Sequence, residues 1–223
     1  MKKITDLMKK NSSFLKAVAA IHNFIFLSFK LNFSRKNKII MKGVFLRHTR
    51  FKIIGKGNEV TIDPENRLKN CFVFIKGNNC KINIGKHCIL TNTTLWIEDD
   101  LGSISIGGYS NSYGAHISAT EGESIKIGED CMFSHGIDIR NGDSHPIFDN
   151  NTGKRINLAA PIKIGSHVWL GADVKVLKGI TIDDNSIIGT GSIVTSNVDS
   201  NSIYVGVPAK KVKDSISWKR HRQ

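Results

Sequence analysis

From Ile164 the chain reads IGSHVW, LGADVK, VLKGIT, IDDNSI, IGTGSI, VTSNVD. An aliphatic residue recurs at every sixth position: Ile164, Leu170, Val176, Ile182, Ile188 and Val194. The fifth place of each hexad (Val168, Val174, Ile180, Ser186, Ser192, Val198) is small or β-branched. Upstream, INIGKHC, ISIGGYS and IKIGEDC repeat the motif less regularly around Ile84, Ile106 and Ile127, which are 22 and 21 residues apart. A period of six does not fit a helix of about 3.6 residues per turn, and Gly recurs too often for one. It fits a short strand plus a corner per hexad, with three hexads closing one triangular coil. The aliphatic residue points inward and stacks on its equivalent in the next coil. β-Branched residues suit the strands, and Gly, Asn and Asp suit corners that need positive φ. One coil cannot bury its inner face alone, so several must stack. The pattern therefore predicts an all-β solenoid, a parallel β-helix.

The repeat breaks once. Between Ile127 and Ile164 lie 37 residues, whereas a coil of three hexads takes about 18. The surplus, at about 141–160, must loop out, and a long insertion in a regular solenoid is usually functional. The broken stretch holds Asp143, His145, Lys154 and Arg155, with Asp138 and Arg140 on the strand leading into it. These types suit acid–base chemistry and a polar or acidic substrate. Asp138, Arg140, Lys154 and Arg155 are the candidate substrate-binding residues. Asp143, two residues before His145, either orients the imidazole through its second nitrogen or makes an Asx turn. Trp169 fills the sixth, outward-pointing place of its hexad and so offers a flat aromatic face beside the insertion.

Composition adds a charge asymmetry. The chain of 223 residues is 40% hydrophobic and 23% charged, which is globular. Its net charge of +13 is concentrated at the ends: residues 1–50 carry +11, residues 209–223 carry +5, and the body between 51 and 208 carries −3. A nucleic-acid-binding domain would carry its charge on the fold itself, so the basic ends point to solubility, an anionic membrane surface or an anionic substrate. Phe14 to Phe29 is apolar but interrupted by Lys16, His22, Asn23 and Ser28, and it is shorter than the ~20 residues of a spanning helix. It reads either as a helix packed on the main domain or a neighbouring subunit, or as an interfacial helix in peripheral contact with a membrane. The expected layout is an N-terminal basic and apolar helical segment over 1–50, a β-helix over 51–208 and a basic tail over 209–223. Cys71, Cys80, Cys88 and Cys131 show no CxxC spacing, which argues against a zinc ribbon and fits reduced cysteines in the cytosol. No GxGxxG or P-loop motif appears, so a Rossmann or ATP site has no support.

The hexads resemble the left-handed parallel β-helix of the hexapeptide-repeat acyltransferases over about 51–213; the handedness is an implication of the resemblance, not of the spacing. DSHPIFD, followed 24 residues after its His by the Trp of HVWLG, resembles the branch containing bacterial capsule and lipopolysaccharide O-acetyltransferases, polysialic acid O-acetyltransferases among them. The resemblance implies that His145 is the general base. A sugar hydroxyl is a weak nucleophile until its proton is removed, and imidazole is the side chain that ordinarily titrates near neutrality. It implies that Trp169 lies against the acetyl donor or the acceptor. It places acetyl-CoA in a groove between subunits of a homotrimer, with Ala172, Thr190, Thr195 and Lys213 at matching positions. GTGSIVTSNV and YVGVPAKKV resemble the family segments that hold the coenzyme. Its phosphates need cations, for which Lys178, Lys210, Lys211 and Lys213 are candidates. The implied partners are acetyl-CoA and a polysaccharide or sugar acceptor, without a metal and without nucleic acid, in the cytoplasm or at the inner membrane face. Three other readings stay open. Serine and antibiotic acetyltransferases share the fold, although the former carry a large helical N-terminal domain. A γ-type carbonic anhydrase needs two His five residues apart plus a third, whereas His116, His135 and His145 are separated by 19 and 10. A non-catalytic solenoid has no need of the loop His and the Trp together.

Overall fold

The computed structural model describes residues 12–25 and 29–221. Short strands form three sheets, of eight, seven and nine strands among the described residues. The chain visits the first, second and third sheet in turn, and each strand pairs in parallel with its counterpart one coil later. Register is exact enough to build inward columns. Phe51, Val73, Leu95, Ile117, Ile139, Val176 and Val194 stack on the first sheet. Ile62, Ile84, Ile106, Ile127, Ile164 and Ile182 stack on the second. Leu46, Leu68, Leu90, Ser112, Phe133, Leu170, Ile188 and Tyr204 stack on the third. All of these are buried, and each large aliphatic contributes roughly 1.5–3 kcal/mol. The hexad positions read from the sequence are these columns.

The corners follow their own chemistry. Asn58 and Asn66 are buried and satisfy the turning backbone. Asn66 Nδ2 donates to the Asp63 and Gly85 carbonyls at 2.7 and 2.9 Å, and its Oδ1 accepts from Cys88 N at 2.7 Å. Such bonds remove the penalty of turning polar backbone inside a dry core. The turn between the second and third sheets is packed too closely for side chains: a Cβ on Gly128 would lie 2.6 Å from the Gly165 backbone. The four cysteines are free and buried. Burial pushes the thiols of Cys71, Cys88 and Cys131 up to about 11, so they act as small core residues rather than nucleophiles.

The helix α1 covers Ser12–Ile25. It seats Leu15 and Ala19 and is pinned by Asn23, which donates to Val44 O and accepts from Leu46 N, both at 2.9 Å. Ile21 and Phe24 face outward, 58% and 81% exposed. No described helix is long and apolar enough to cross a membrane. The layout differs from the expected boundary at 50. Strands begin at Phe29–Phe33 and Lys38–Ile40, so 29–50 already belongs to the solenoid. FKLNF alternates at period two, but it is short and sits among Lys and Arg, which hid that alternation. Residues 1–11 and 26–28 of the apolar and basic segment lie outside the described residues.

Candidate active site

The insertion leaves the solenoid after the strand Ile137–Arg140 of the first sheet and returns at Ile162–Ile164 of the second. It therefore projects from the corner between those sheets. Two pieces order it. One is a small hairpin, in which Asp149 N donates to Lys154 O and Ile156 N to Ile147 O, both at 2.9 Å. The other is Asn157, buried among otherwise exposed residues. Its Nδ2 donates to Asp143 Oδ2 at 3.0 Å and to His145 O at 2.8 Å, while its Oδ1 accepts from Ile147 N at 2.7 Å and Arg155 Nε at 3.3 Å. One amide thus fixes the backbone on both sides of His145. Nothing in the sequence singled Asn157 out, since a lone Asn in a polar loop has no spacing signal.

His145 is exposed, and among the described residues its ring makes no hydrogen bond. Its backbone N–H donates to Asp143 O at 2.7 Å. Asp143 does not orient the imidazole here: its carboxylate accepts from Lys178 and Asn157. The Lys178 ammonium, against a small opposing effect of burial, holds the Asp143 carboxyl below its ordinary range, with help from Asn157 and Arg155. Lys178, a candidate phosphate-binding cation, ties the insertion to the next coil through this ion pair. Arg155 is likewise committed within the chain, to Glu121 and to Asn157. Lys154 is exposed at the hairpin tip. Asp138 receives Arg140 Nε at 2.7 Å, and His116 Nδ1 lies 3.7 Å away, too far for a hydrogen bond. Burial raises the Asp138 carboxyl, but His116 and Arg140 more than offset that and hold it low.

Trp169 stands on the outer face of the third sheet, 37% exposed. Beside it runs a strap the sequence did not reveal. After the edge strand Lys210–Lys213, which pairs antiparallel with Ile203–Val205, the tail turns back along the corner between the second and third sheets. Trp218 is buried, stacks on His167 with centroids 3.9 Å apart, and lies 6.0 Å from the Trp169 ring. Its Nε1 donates to His167 O at 2.9 Å. Arg220 Nε meets Asp130 Oδ1 at 2.6 Å, and its Nη2 donates to the Tyr109 and Cys131 carbonyls at 3.0 and 2.9 Å. His167 Nδ1 meets the other Asp130 oxygen at 2.6 Å.

The strap carries a pH dependence. Burial raises the Asp130 carboxyl, yet the hydrogen bonds and charges of His167 and Arg220 outweigh it and lower it. A carboxyl whose folded pKa is lowered gives stability that is fully present above its unfolded value, near 4, and is lost as pH falls through the folded one. Strap docking should therefore hold at neutral pH and weaken below about pH 4. Tryptophan emission should shift in that range before far-UV circular dichroism changes. Asp130→Asn should show the shifted emission already at pH 7, and an unchanged spectrum there would refute the coupling.

The remaining candidates fall into three groups. Ala172 and Thr190 lie on adjacent coils at the corner between the third and first sheets, where Gly191 N donates to Ala172 O at 2.7 Å. Lys210 and Lys213 lie on the edge strand of the third sheet, and Lys211 between them pairs with Asp199 at 2.6 Å. Thr195 sits with Lys178 near the corner that bears the insertion. Within one chain, then, His145 occupies one corner, whereas Trp169, Ala172 and Thr190 occupy the third sheet and the opposite corner.

A family model described as bacterial transferase hexapeptide (six repeats) matches residues 161–196. The polysialic acid O-acetyltransferase of Neisseria meningitidis is 34% identical over 77% of this chain and 80% of that protein. The polysialic acid O-acetyltransferase of Escherichia coli O1:K1 / APEC is 41% identical over 43% of this chain and 31% of that protein. The crystal structure of the polySia-specific acetyltransferase NeuO superposes with a TM-score of 0.79 at 29% identity, over 87% of this chain and 83% of that one.

Proposed function

From the premise that the chain belongs to the hexapeptide-repeat acyltransferases, a family of left-handed parallel β-helices, we propose that it transfers the acetyl group of acetyl-CoA to a hydroxyl of an acidic bacterial surface polysaccharide. The observation that carries this reading is the likeness to the Neisseria polysialic acid enzyme over four-fifths of that protein's length. His145 takes the proton of the acceptor hydroxyl, whose oxygen attacks the thioester carbonyl. A tetrahedral oxyanion forms and collapses, the C–S bond breaks, and the departing thiolate takes the proton back from His145. The acceptor leaves as the acetyl ester and the donor as free CoA.

The separation of His145 from Trp169, Ala172 and Thr190 supports a site shared between copies in a homotrimer. The outward surfaces support it too. The second sheet shows polar columns such as Lys81, Ser103 and Ser124, whereas the first shows Phe72 and Trp96 and the third Ile89, Met132 and Ile187. Packing the first sheet of one copy against the third of the next would cover these apolar residues. It would also bring the insertion of one beside Trp169 of the other. The compartment is the cytoplasm, where acetyl-CoA is made. Outward Ile21 and Phe24, with the basic residues around them, support peripheral contact with the inner membrane face.

The test is release of CoA from acetyl-CoA with a panel of acidic polysaccharides, neutral polysaccharides and small acceptors such as serine. Release that depends on an acidic polymer is the expected result. Release with a small acceptor alone would replace this reading with the small-acceptor one, and no acetyl-CoA binding by calorimetry would leave the non-catalytic solenoid.

A further inference from the structure

The strap is built more firmly than the end of a solenoid requires. Lys210–Lys213 already closes the edge of the third sheet, yet the chain continues back over earlier coils. Alternate strap residues meet successive coils. Ile216 N donates to Asn201 O and Ile216 O accepts from Asn185 Nδ2, both at 3.0 Å. Trp218 lies on His167, and Arg220 on Asp130 and Tyr109. Asn201, Asn185, His167, Asp130 and Tyr109 all hold left-handed backbone, with φ between 54° and 63°. They follow one another, coil by coil, along the corner between the second and third sheets.

Trp218 joins this clasp to the candidate site. One face of its ring covers His167, and the Trp169 ring lies 6.0 Å away at 47°, a spacing and tilt at which aromatic rings attract. The indole is fixed by its Nε1 bond to His167 O at 2.9 Å, and the backbone by His167 Nε2, which lies 3.0 Å from Trp218 O. Trp169 thus has three neighbours. Met132 and Ile187 pair with it in the ladder on either side, and Trp218 stands toward the second sheet. Ala172, a candidate donor contact, lies at the other end of the same strand. The side decides which substrate Trp218 affects. If a neighbouring copy covers the third sheet, a polymer reaches Trp169 from the outer rim, and the strap forms that rim. It sits on a corner, outside the face that the neighbour would cover.

We propose that Trp218 is a positioning residue for the acceptor: docked on His167, it holds the Trp169 indole in the orientation on which a sugar ring stacks. An aromatic face already held in place loses less freedom on binding than one that swings. This role rests on the proposed function's reading of Trp169 as part of the transfer site. It deepens that reading by assigning the ring to the acceptor rather than to acetyl-CoA, and by giving the C-terminal strap a part in acceptor affinity.

Calorimetry tests it by measuring the affinity of the full chain for a sialic acid polymer and, separately, for acetyl-CoA. CoA release gives the KM for each. The variants are Trp218→Ala, Trp218→Phe and Arg220→Ala. Trp218→Ala is expected to bind the polymer roughly tenfold more weakly, with the acceptor KM raised to match. Its KM for acetyl-CoA and its kcat at saturating acceptor should stay within about twofold of wild type. Trp218→Phe keeps a ring on His167 and should recover most of the affinity. Arg220→Ala frees the far end of the strap without opening a cavity and should weaken polymer binding in the same sense. A strap that only clamps the corner predicts a lower melting temperature for Trp218→Ala with unchanged polymer affinity, and that result would overturn the role. Equal weakening for acetyl-CoA, a Trp218→Phe variant as weak as Trp218→Ala, or no binding of the polymer by the wild type would overturn it too. If Trp218→Ala does not fold, Arg220→Ala decides: shifted tryptophan emission with wild-type polymer affinity removes the role. The proposed function is judged separately, by CoA release from the wild type. Acetylation of the polymer by a protein whose Trp218→Ala variant binds that polymer normally would remove the positioning role and leave the reaction standing.

Discussion

Replacing His145 by alanine is expected to lower turnover of acetyl-CoA and polysaccharide roughly 10²–10⁴-fold, the usual contribution of a positioned general base. The stability of the fold should hardly move. The His145 ring is exposed and makes no hydrogen bond among the described residues, and surface substitutions of that kind usually stay within about 0.5 kcal/mol. What holds this segment is backbone: His145 N to Asp143 O, and His145 O to Asn157. Alanine keeps both. The loss should therefore fall on kcat, with the KM for acetyl-CoA little changed, because the substitution leaves every group assigned to the donor in place, Thr195 and Lys178 at the insertion's own corner included. CoA release, paired with thermal melts of both proteins, checks this. Near-normal release by the alanine variant would remove His145 from the mechanism while leaving the fold and family untouched.

This division between a rigid coil and an inserted site explains what could be read from the sequence. The columns were legible because burial repeats. Ile164, Leu170, Val176, Ile182, Ile188 and Val194 are all fully buried, and six equal environments leave six equal residue choices. The insertion was legible as a breach of that period, and His145 and Trp169 as motif positions within and beside it. Residues 29–50 read as a separate segment because their strands form the opening coils: among the described residues Phe29–Phe33 has no earlier strand beneath it and is largely exposed, so burial does not reinforce its alternation. The strap was hidden for a different reason. Trp218 and Arg220 gain their meaning from His167, Asp130 and Tyr109, which are 51, 90 and 111 residues away, and no local pattern records a contact of that range. Lys178 and Asp143 were each singled out, but for separate roles; their pairing became visible only once the insertion was seen folded over the coil below it.

Replacing Asn157 should have the second large effect. Its amide binds four groups of the insertion, two of them on either side of His145. Asn157→Leu fills the same space but makes none of these bonds. It strands the Ile147 N–H and the His145 carbonyl in a partly buried place, where each lost partner costs about 1–3 kcal/mol. A cost of that size exceeds what a short surface hairpin can supply, so the loop should open while the solenoid, whose columns Asn157 does not touch, stays folded. Misplacement of a catalytic group by about 1 Å can cost on the order of 10²-fold. The expected result is a fall in kcat of about 10- to 100-fold, a KM for acetyl-CoA within about twofold of wild type, and faster protease nicking between 141 and 160. The KM and kcat split matters, because general unfolding would lower both binding and turnover. Nicking that rises while kcat stays at the wild-type value would show that the ordered insertion is dispensable, and that His145 finds its position only when the acceptor or a neighbouring copy closes over it.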